Sequence, residues 1–489
     1  MSEIHTQVEN IYQVHKNEFK ILENIFYDEH LIPPEITRDT VKQRILGALN
    51  NDEMSSEWIS SPKTLTYNLL LFIMAMGYFL WFALFGVRYR SVKVDLLFDY
   101  WSLSFDDFYD EILKEFPSLN IAAFGPNVNE LHELSRIPFS KRFMRKFKPY
   151  SRRSAWSVFK SHYYRFGTYW LLSKHTNINF VDLALRLSAE IAGAITSIEG
   201  ISSKILVSAN DNGYSPYRYH LYRSNGIGRI FLIQNGGKLE LDKFYNSFIY
   251  CDFYLGWSQK RLDHSVQMHC NNKIPIGSIK LSNFLHGYDA KKTTVKYDIV
   301  FVEQYVDHPN PKSAFYLNLL QYLVRYALEN PNIRVAFCRR PGIFEHISLC
   351  KQVNAILRDS QIIILETKNI LSSYEYILNS KIIVSLDSSL RFEAIMLDKP
   401  VINCINRPEP YDFLIKYSDP CFIISTDEYS IFSKKINFML ENLDNPSIIA
   451  SFKKLQAETV DKVDENASFL AANLIKAEFY RMQAFSSNN

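Results

Sequence analysis

Two periods of apolar residues alternate along this chain. Short apolar runs at 92–98 (VKVDLLF), 120–124 (NIAAF), 204–208 (KILVS), 229–233 (RIFLI), 249–256, 297–303 (YDIVFVE), 334–338, 362–365 and 381–386 predict buried strands. Between them apolar positions recur at helical spacing. The clearest stripe is Val181, Leu183, Ala184, Leu187, Ile191, Ala194 and Ile195, and a second is Phe315, Leu319, Tyr322, Leu323 and Tyr326. Strands that alternate with helices build parallel α/β units. Two such units are expected, 91–280 and 281–425, with 281–296 as a polar, irregular linker. Residues 1–68 predict an accessory helical region and 426–489 further helices.

The segment 381–403 (KIIVSLDSSLRFEAIMLDKPVIN) reads as strand, turn, helix, turn, strand. Ser388 and Ser389 are good helix-capping residues, and Lys399-Pro400 ends the helix. The plainer reading is one crossover of an α/β domain. The chemical reading uses the same geometry: a helix N-terminus at the carboxyl edge of a parallel sheet offers N–H groups and partial positive charge to a phosphate. Ser388 and Ser389 then add hydroxyls, and Glu393, one turn on, can accept from a ribose hydroxyl.

Residues 69–87 (LLLFIMAMGYFLWFALFGV) are uncharged for 19 positions, near the lower length for a bilayer span. Arg88, Arg90 and Lys93 follow, whereas residues 1–68 carry eleven acidic side chains against six Lys and Arg, so the C-terminal part is expected in the cytoplasm. A single span, a helix lying at the membrane surface and a buried core helix all fit; 69–90 is expected to associate with a membrane. The run 141–165 holds nine Lys and Arg, no acid, and interleaved aromatics. Beside an apolar helix it suits anionic lipid or a lipid-linked pyrophosphate; a solvated helix face is the plainer alternative. A net charge of +3 gives nucleic acid no general support. Six scattered cysteines, without metal-binding spacing, fit a reduced compartment, and the polar first 68 residues do not read as a signal peptide.

The pattern S-x-x-S-S-x-x-x-E-A-x-x-x-x-K-P-V at 385–401 resembles the donor-binding segment of bacterial GT-B glycosyltransferases that assemble surface polysaccharide, lipopolysaccharide and capsule. A paired Ser resembles in particular the branches that use CMP-activated sialic acid or Kdo. The succession 204–278 is similar to the acceptor domain of that group, with Asn235 where His is common. The resemblance implies an α/β, GT-B-like fold: two Rossmann-like domains facing a cleft, with the terminal helix crossing back onto the first domain. It implies a membrane-associated, metal-independent, inverting glycosyltransferase at the cytoplasmic face of a bacterial inner membrane. No cofactor is implied beyond the nucleotide-sugar donor as co-substrate, and the acceptor is a glycan or a lipid-linked glycan.

Such an enzyme needs a general base at a strand's carboxyl end; Asp211 is the first candidate and Asp99 the second. Donor contacts fall to Ser388, Ser389 and Glu393, to Gln304 after the strand 297–303, and to Arg340. The CMP-using families place His-Pro at a phosphate site after the second strand; here Arg340-Pro341 stands there, and a guanidinium pairs well with phosphate. His308-Pro309 has the letters but follows the first strand. A UDP- or GDP-sugar donor, polyol-phosphate transfer on the same fold, and a non-catalytic GT-B-like scaffold are the alternatives.

Overall fold

The computed structural model describes residues 3–49, 64–99, 106–125, 142–146, 150–176, 178–209, 215–235, 248–264, 268–288, 294–303, 311–339, 348–358, 360–367, 370–386, 388–405, 418–425, 428–460 and 466–487. Helices α1 (Glu3–Val14), α2 (Lys16–His30), α3 (Pro34–Leu49) and α4 (Leu65–Phe85) come first. The first domain then runs β1 (Val92–Asp99), α5 (Asp106–Lys114), β2 (Ile121–Gly125), β3 (Arg142–Lys146), α6 (Arg152–His162), α7 (Phe166–His175), α8 (Phe180–Ile198), β4 (Ile201–Ser208), α9 (Pro216–Ser224), β5 (Ile227–Ile233), β6 (Tyr250–Gly256), α10 (Gln259–His264) and β7 (His269–Pro275). After α11 (Ile279–Gly287), the second domain runs β8 (Tyr297–Val302), α12 (Pro311–Glu329), β9 (Val335–Cys338), α13 (Ser348–Leu357), β10 (Ile363–Leu365), α14 (Ile370–Leu378), β11 (Ser380–Ser385), α15 (Leu390–Met396), β12 (Val401–Cys404) and β13 (Ile423–Ile424). Helices α16 (Tyr429–Glu441), α17 (Pro446–Thr459) and α18 (Ala467–Ser487) close the chain.

Both sheets pair in parallel throughout, in the orders β3-β2-β1-β4-β5-β6-β7 and β10-β9-β8-β11-β12-β13. This is the expected class: two Rossmann-like α/β domains. Central strands are covered on both faces, as Leu96, Leu97 and Phe98 of β1 and Ile382, Ile383 and Val384 of β11 show by their burial. Helix starts follow local chemistry: the side chains of Asn179, Ser215, Ser278 and Asn445 each accept a backbone N–H at the opening of α8, α9, α11 and α17.

Two expectations change, and one strand appears where none was expected. The linker 281–296 is not irregular at its start. Ser278 caps α11 and buries Ile279, Leu281 and Phe284, so an ordered helix joins the domains. The basic run does not form one helical face: Arg142–Lys146 pairs with β2 as the last strand of the first sheet, and α6 begins separately at its Ser151 cap. The strand β7 (HCNNKIP) escaped the apolar pattern because an edge strand needs only partial burial.

The N-terminal helices belong to the core of the first domain. Phe19 packs on Phe180, Arg44 pairs with Glu190 at 2.5 Å, and Tyr250 donates to Asp39 at 2.5 Å. Helix α18 crosses back, burying Ala471, Ile475 and Phe479 with Leu96 and Ile205, and Glu478 accepts from Arg229 at 3.1 Å. Helix α4 lays Asn68, Phe72, Met76 and Phe79 against this domain. Asn179 donates to Asn68 Oδ1 at 2.8 Å, and Arg152 Nε donates to the Gly86 carbonyl at 2.8 Å. Gly86 has no room for a side chain: a Cβ there would meet Phe82 O at 2.3 Å and Tyr150 O at 3.0 Å.

His30 of α2 and His162 of α6 meet through their Nε2 atoms at 2.9 Å, and His162 Nδ1 lies 2.5 Å from the Tyr169 hydroxyl. Burial pushes His30 down from 6.5 to about 4, and His162 in the same direction. The native state therefore binds fewer protons than the unfolded chain, so this stabilisation is complete above the unfolded pKa and is lost as pH falls from 6.5 toward 4. At pH 5 His30 alone is expected to cost about 2 kcal/mol. Urea melts at pH 7.5 and 5 should show that loss, and His30→Gln should reduce it to the part that His162 contributes.

Candidate functional site

Sheets of this order each have one switch point, between β1 and β4 in the first domain and between β8 and β11 in the second. A crevice opens outside the carboxyl ends of the strands at such a point. The two carboxyl edges face one another. Ser278, three residues after β7, donates to Glu393 of α15 at 2.8 Å, and Trp257, directly after β6, packs into the second domain's core. Trp257 is fixed there by Gln234, whose Oε1 accepts its backbone N–H at 2.9 Å and whose carbonyl accepts its indole N–H at 3.1 Å.

Asp99 ends β1 beside Ser208, which ends β4 in register with it. The carboxylate is buried. Oδ2 accepts from Ser208 Oγ at 2.9 Å, while Oδ1 has no hydrogen-bond partner. Tyr109 braces the turn: its hydroxyl donates to the Asp99 carbonyl at 3.3 Å and accepts the Ala209 N–H at 2.7 Å. Burial pushes the Asp99 carboxyl up to about 6, with Arg218 and Ser208 pulling the other way. A carboxylate in that range and at that edge is suited to take a proton from a hydroxyl near neutral pH.

The opposite edge carries its own unpartnered polar atoms. Ser385 ends β11 and lies in register with Asn403 of β12. Ser385 Oγ and both amide atoms of Asn403 are buried without a hydrogen bond. Each such group costs about 1–3 kcal/mol, so finding them at strand ends on facing edges marks a polar lining that the fold alone does not satisfy. Sequence reasoning passed over Ser208, Ser385 and Asn403. Their signal was present: Ser208 and Ser385 close β4 and β11 as Asp99 closes β1, and Asn403 stands one residue from the end of β12.

Ser388 and Ser389 open α15. Ser388 Oγ accepts the Leu390 N–H at 3.3 Å; Ser389, at the N-cap, makes no capping bond with its side chain. Arg391 is fully buried just behind them and donates to the Leu386 carbonyl at 3.0 Å. Glu393, expected to face a ribose, is buried between the domains: its Oε1 accepts from Ser278 and from the Tyr374 hydroxyl at 2.6 Å. Burial raises its pKa, while Lys280, Tyr374 and Ser278 oppose the rise. A ribose hydroxyl would have to compete with those two donors. Asp211, Gln304 and Arg340, with His308-Pro309, lie outside the described residues. Asn235, two residues beyond β5, has a buried Oδ1 without a partner. Among the described residues no three His, Cys, Asp or Glu side chains group as a metal site.

No family model matches the chain, and no curated protein matches it. Solved structures do. The S. aureus protein MnaA, solved with UDP, is similar at 11% identity over 78% of this chain and 96% of its own, with a TM-score of 0.48. A UDP-GlcNAc 2-epimerase from Neisseria meningitidis bound to UDP-GlcNAc is similar at 11% identity over 79% and 100%, TM-score 0.44. A variant of the wall teichoic acid polymerase TagF is similar at 11% identity over 86% and 98%, TM-score 0.48. Identities near one residue in ten and TM-scores below 0.5 leave function to the residues themselves.

The Glu393 tie has a measurable consequence. Tyr374→Phe removes one of two donors from a buried carboxylate and keeps the ring, so it should lower stability by about 1–3 kcal/mol. A melting temperature unchanged from wild type would show that Tyr374 contributes packing alone.

Proposed function

We propose that this chain is a nucleotide-dependent glycosyltransferase, moving a sugar with inversion from a nucleotide donor to a glycan or lipid-linked glycan acceptor at the cytoplasmic face of a bacterial membrane. The observation that carries the reading is Asp99: a buried carboxylate at a switch point, one oxygen unpartnered, its pKa near 6. In this reading Asp99 Oδ1 takes the proton of the acceptor hydroxyl as that oxygen attacks the donor's anomeric carbon. Asp211, which follows β4 in sequence, is the other candidate base, and Asp99 is the one whose surroundings support the role.

Across the cleft the leaving phosphate is received by Ser388, Ser389 and the N–H groups that open α15, with Arg340 as the proposed cation and Gln304 as a further proposed donor contact. Hydroxyls, N–H groups and a guanidinium then stabilise the departing charge without a metal. The residue one turn on, Glu393, meets the ribose once Ser278 or Tyr374 gives way. A CMP-activated ulosonic acid rests on the serine pair alone; a UDP- or GDP-sugar and a polyol-phosphate donor use the same helix opening. The sequestered Glu393 favours one second reading, a scaffold that binds nucleotide without turnover.

Thermal-shift titration with CMP, UDP, GDP and CDP tests the site. A nucleotide at a hundred times its Kd should add about 2.7 kcal/mol of stability, and Ser388→Ala/Ser389→Ala should abolish the effect. Asp99→Asn should keep the shift and lower donor turnover about 10²–10⁴-fold. The base works deprotonated, so wild-type kcat/KM should fall as pH drops through about 6. Binding without turnover would establish the scaffold. No response to any nucleotide would overturn both readings.

A further inference from the structure

Helix α4 is, among the described residues, long and apolar enough to cross a membrane. Its surroundings decide how it is used. One face is committed to the first domain through Phe72, Met76, Phe79 and the buried Asn68–Asn179 hydrogen bond. The other carries Leu70, Ile73, Met74, Trp81, Leu84 and Phe85, all more than half exposed, with Met74 at 72% and Phe85 at 63%. Helix α6 lies alongside; its exposed Trp156 and the Tyr163 that caps it stack with Phe159 at 5.9 and 5.4 Å.

The chain on both sides of α4 folds into one body. Before it, α2 and α3 pack through Phe19 on Phe180 and through Arg44 on Glu190; after it, β1 begins seven residues beyond Phe85, in the middle of the first sheet. A single crossing would set these parts on opposite sides of a bilayer, and one crossing cannot return. Charge says what covers the free face. Helices α4, α6 and α7 contain no Asp or Glu, while Arg88, Arg90, Arg153, Lys160 and Lys174 around them are exposed cations. A second copy would bring like charges together across a two-fold axis; anionic headgroups pair with them.

We propose that α4 lies in the plane of the membrane, its outer face sunk into an anionic lipid surface with Trp81 and Tyr78 among the headgroups, and does not cross it. Membrane attachment belongs to the proposed function; its in-plane geometry does not depend on the transfer chemistry, and its test needs no nucleotide.

Flotation of the full chain with phosphatidylcholine vesicles, with and without phosphatidylglycerol, measures the attachment. Binding is expected to the anionic vesicles above the neutral ones. Ile73→Glu/Met74→Glu/Trp81→Glu changes exposed positions only and should lower flotation about tenfold or more at an unchanged melting temperature. Arg88→Ser/Arg90→Ser, which leaves the apolar face intact, should reduce the preference for anionic vesicles. Tags at residues 1 and 489 should both be cut by protease added outside. Absence of flotation, flotation unchanged in the triple variant, or an N-terminal tag protected while the C-terminal one is cut would each overturn the proposal. So would a wild-type dimer that stays off vesicles and dissociates on the same three substitutions.

Discussion

Parallel pairing is the constraint on which the rest depends. In a parallel sheet every strand ends on the same edge, so the residues that close strands collect there whatever their distance in sequence. Asp99 and Ser208 lie 109 positions apart and still meet at 2.9 Å, because β1 and β4 are neighbours. Ser385 and Asn403 meet by the same rule in the other sheet. Two sheets turned edge to edge then bring two such collections into one cleft, and the connection through α11 fixes their approach.

That approach is held by buried polar bonds as well as by apolar packing. Ser278 opens the joining helix and also donates to Glu393, so one side chain caps a helix and ties two domains. Removing a carboxylate from water is costly unless it is hydrogen-bonded, and Ser278 and Tyr374 both donate to its Oε1. Any ligand that drew Glu393 toward itself would loosen the same tie. Under the proposed function, a donor that engages Glu393 therefore works against this tie between the domains.

Much of this was legible in the sequence, and for physical reasons. Buried parallel strands are rich in apolar residues, so all nine runs that predict strands fall on strands, and 381–403 stands out as well, because its strand, turn and short helix depend on local residues only. What was not legible depends on distance. Nothing local says that Glu393 accepts from Ser278, 115 positions earlier. Nothing local separates Arg142–Lys146 as a strand from the helix after it, since a strand at the edge needs a partner more than an apolar pattern. The polar strand ends were visible as letters, but their meaning came only with the strand order that put them side by side.

The apolar helix shows the same division between composition and context. By length and hydropathy α4 suits a bilayer span, a surface helix and a core helix equally, because these differ in what surrounds the helix and not in what it is made of. Context separates them. A core helix would not leave Trp81 and Phe85 more than half exposed, and a span would not keep Asn68 hydrogen-bonded inside a domain. Each large apolar side chain moved from water into lipid gains about 1.5–3 kcal/mol, so in the proposed geometry the outer face supplies the driving force. Crossing would add the loss of the inner face's packing and the separation of α2 and α3 from α8. The proposed in-plane position is the one that satisfies both faces at once, one by protein and one by lipid.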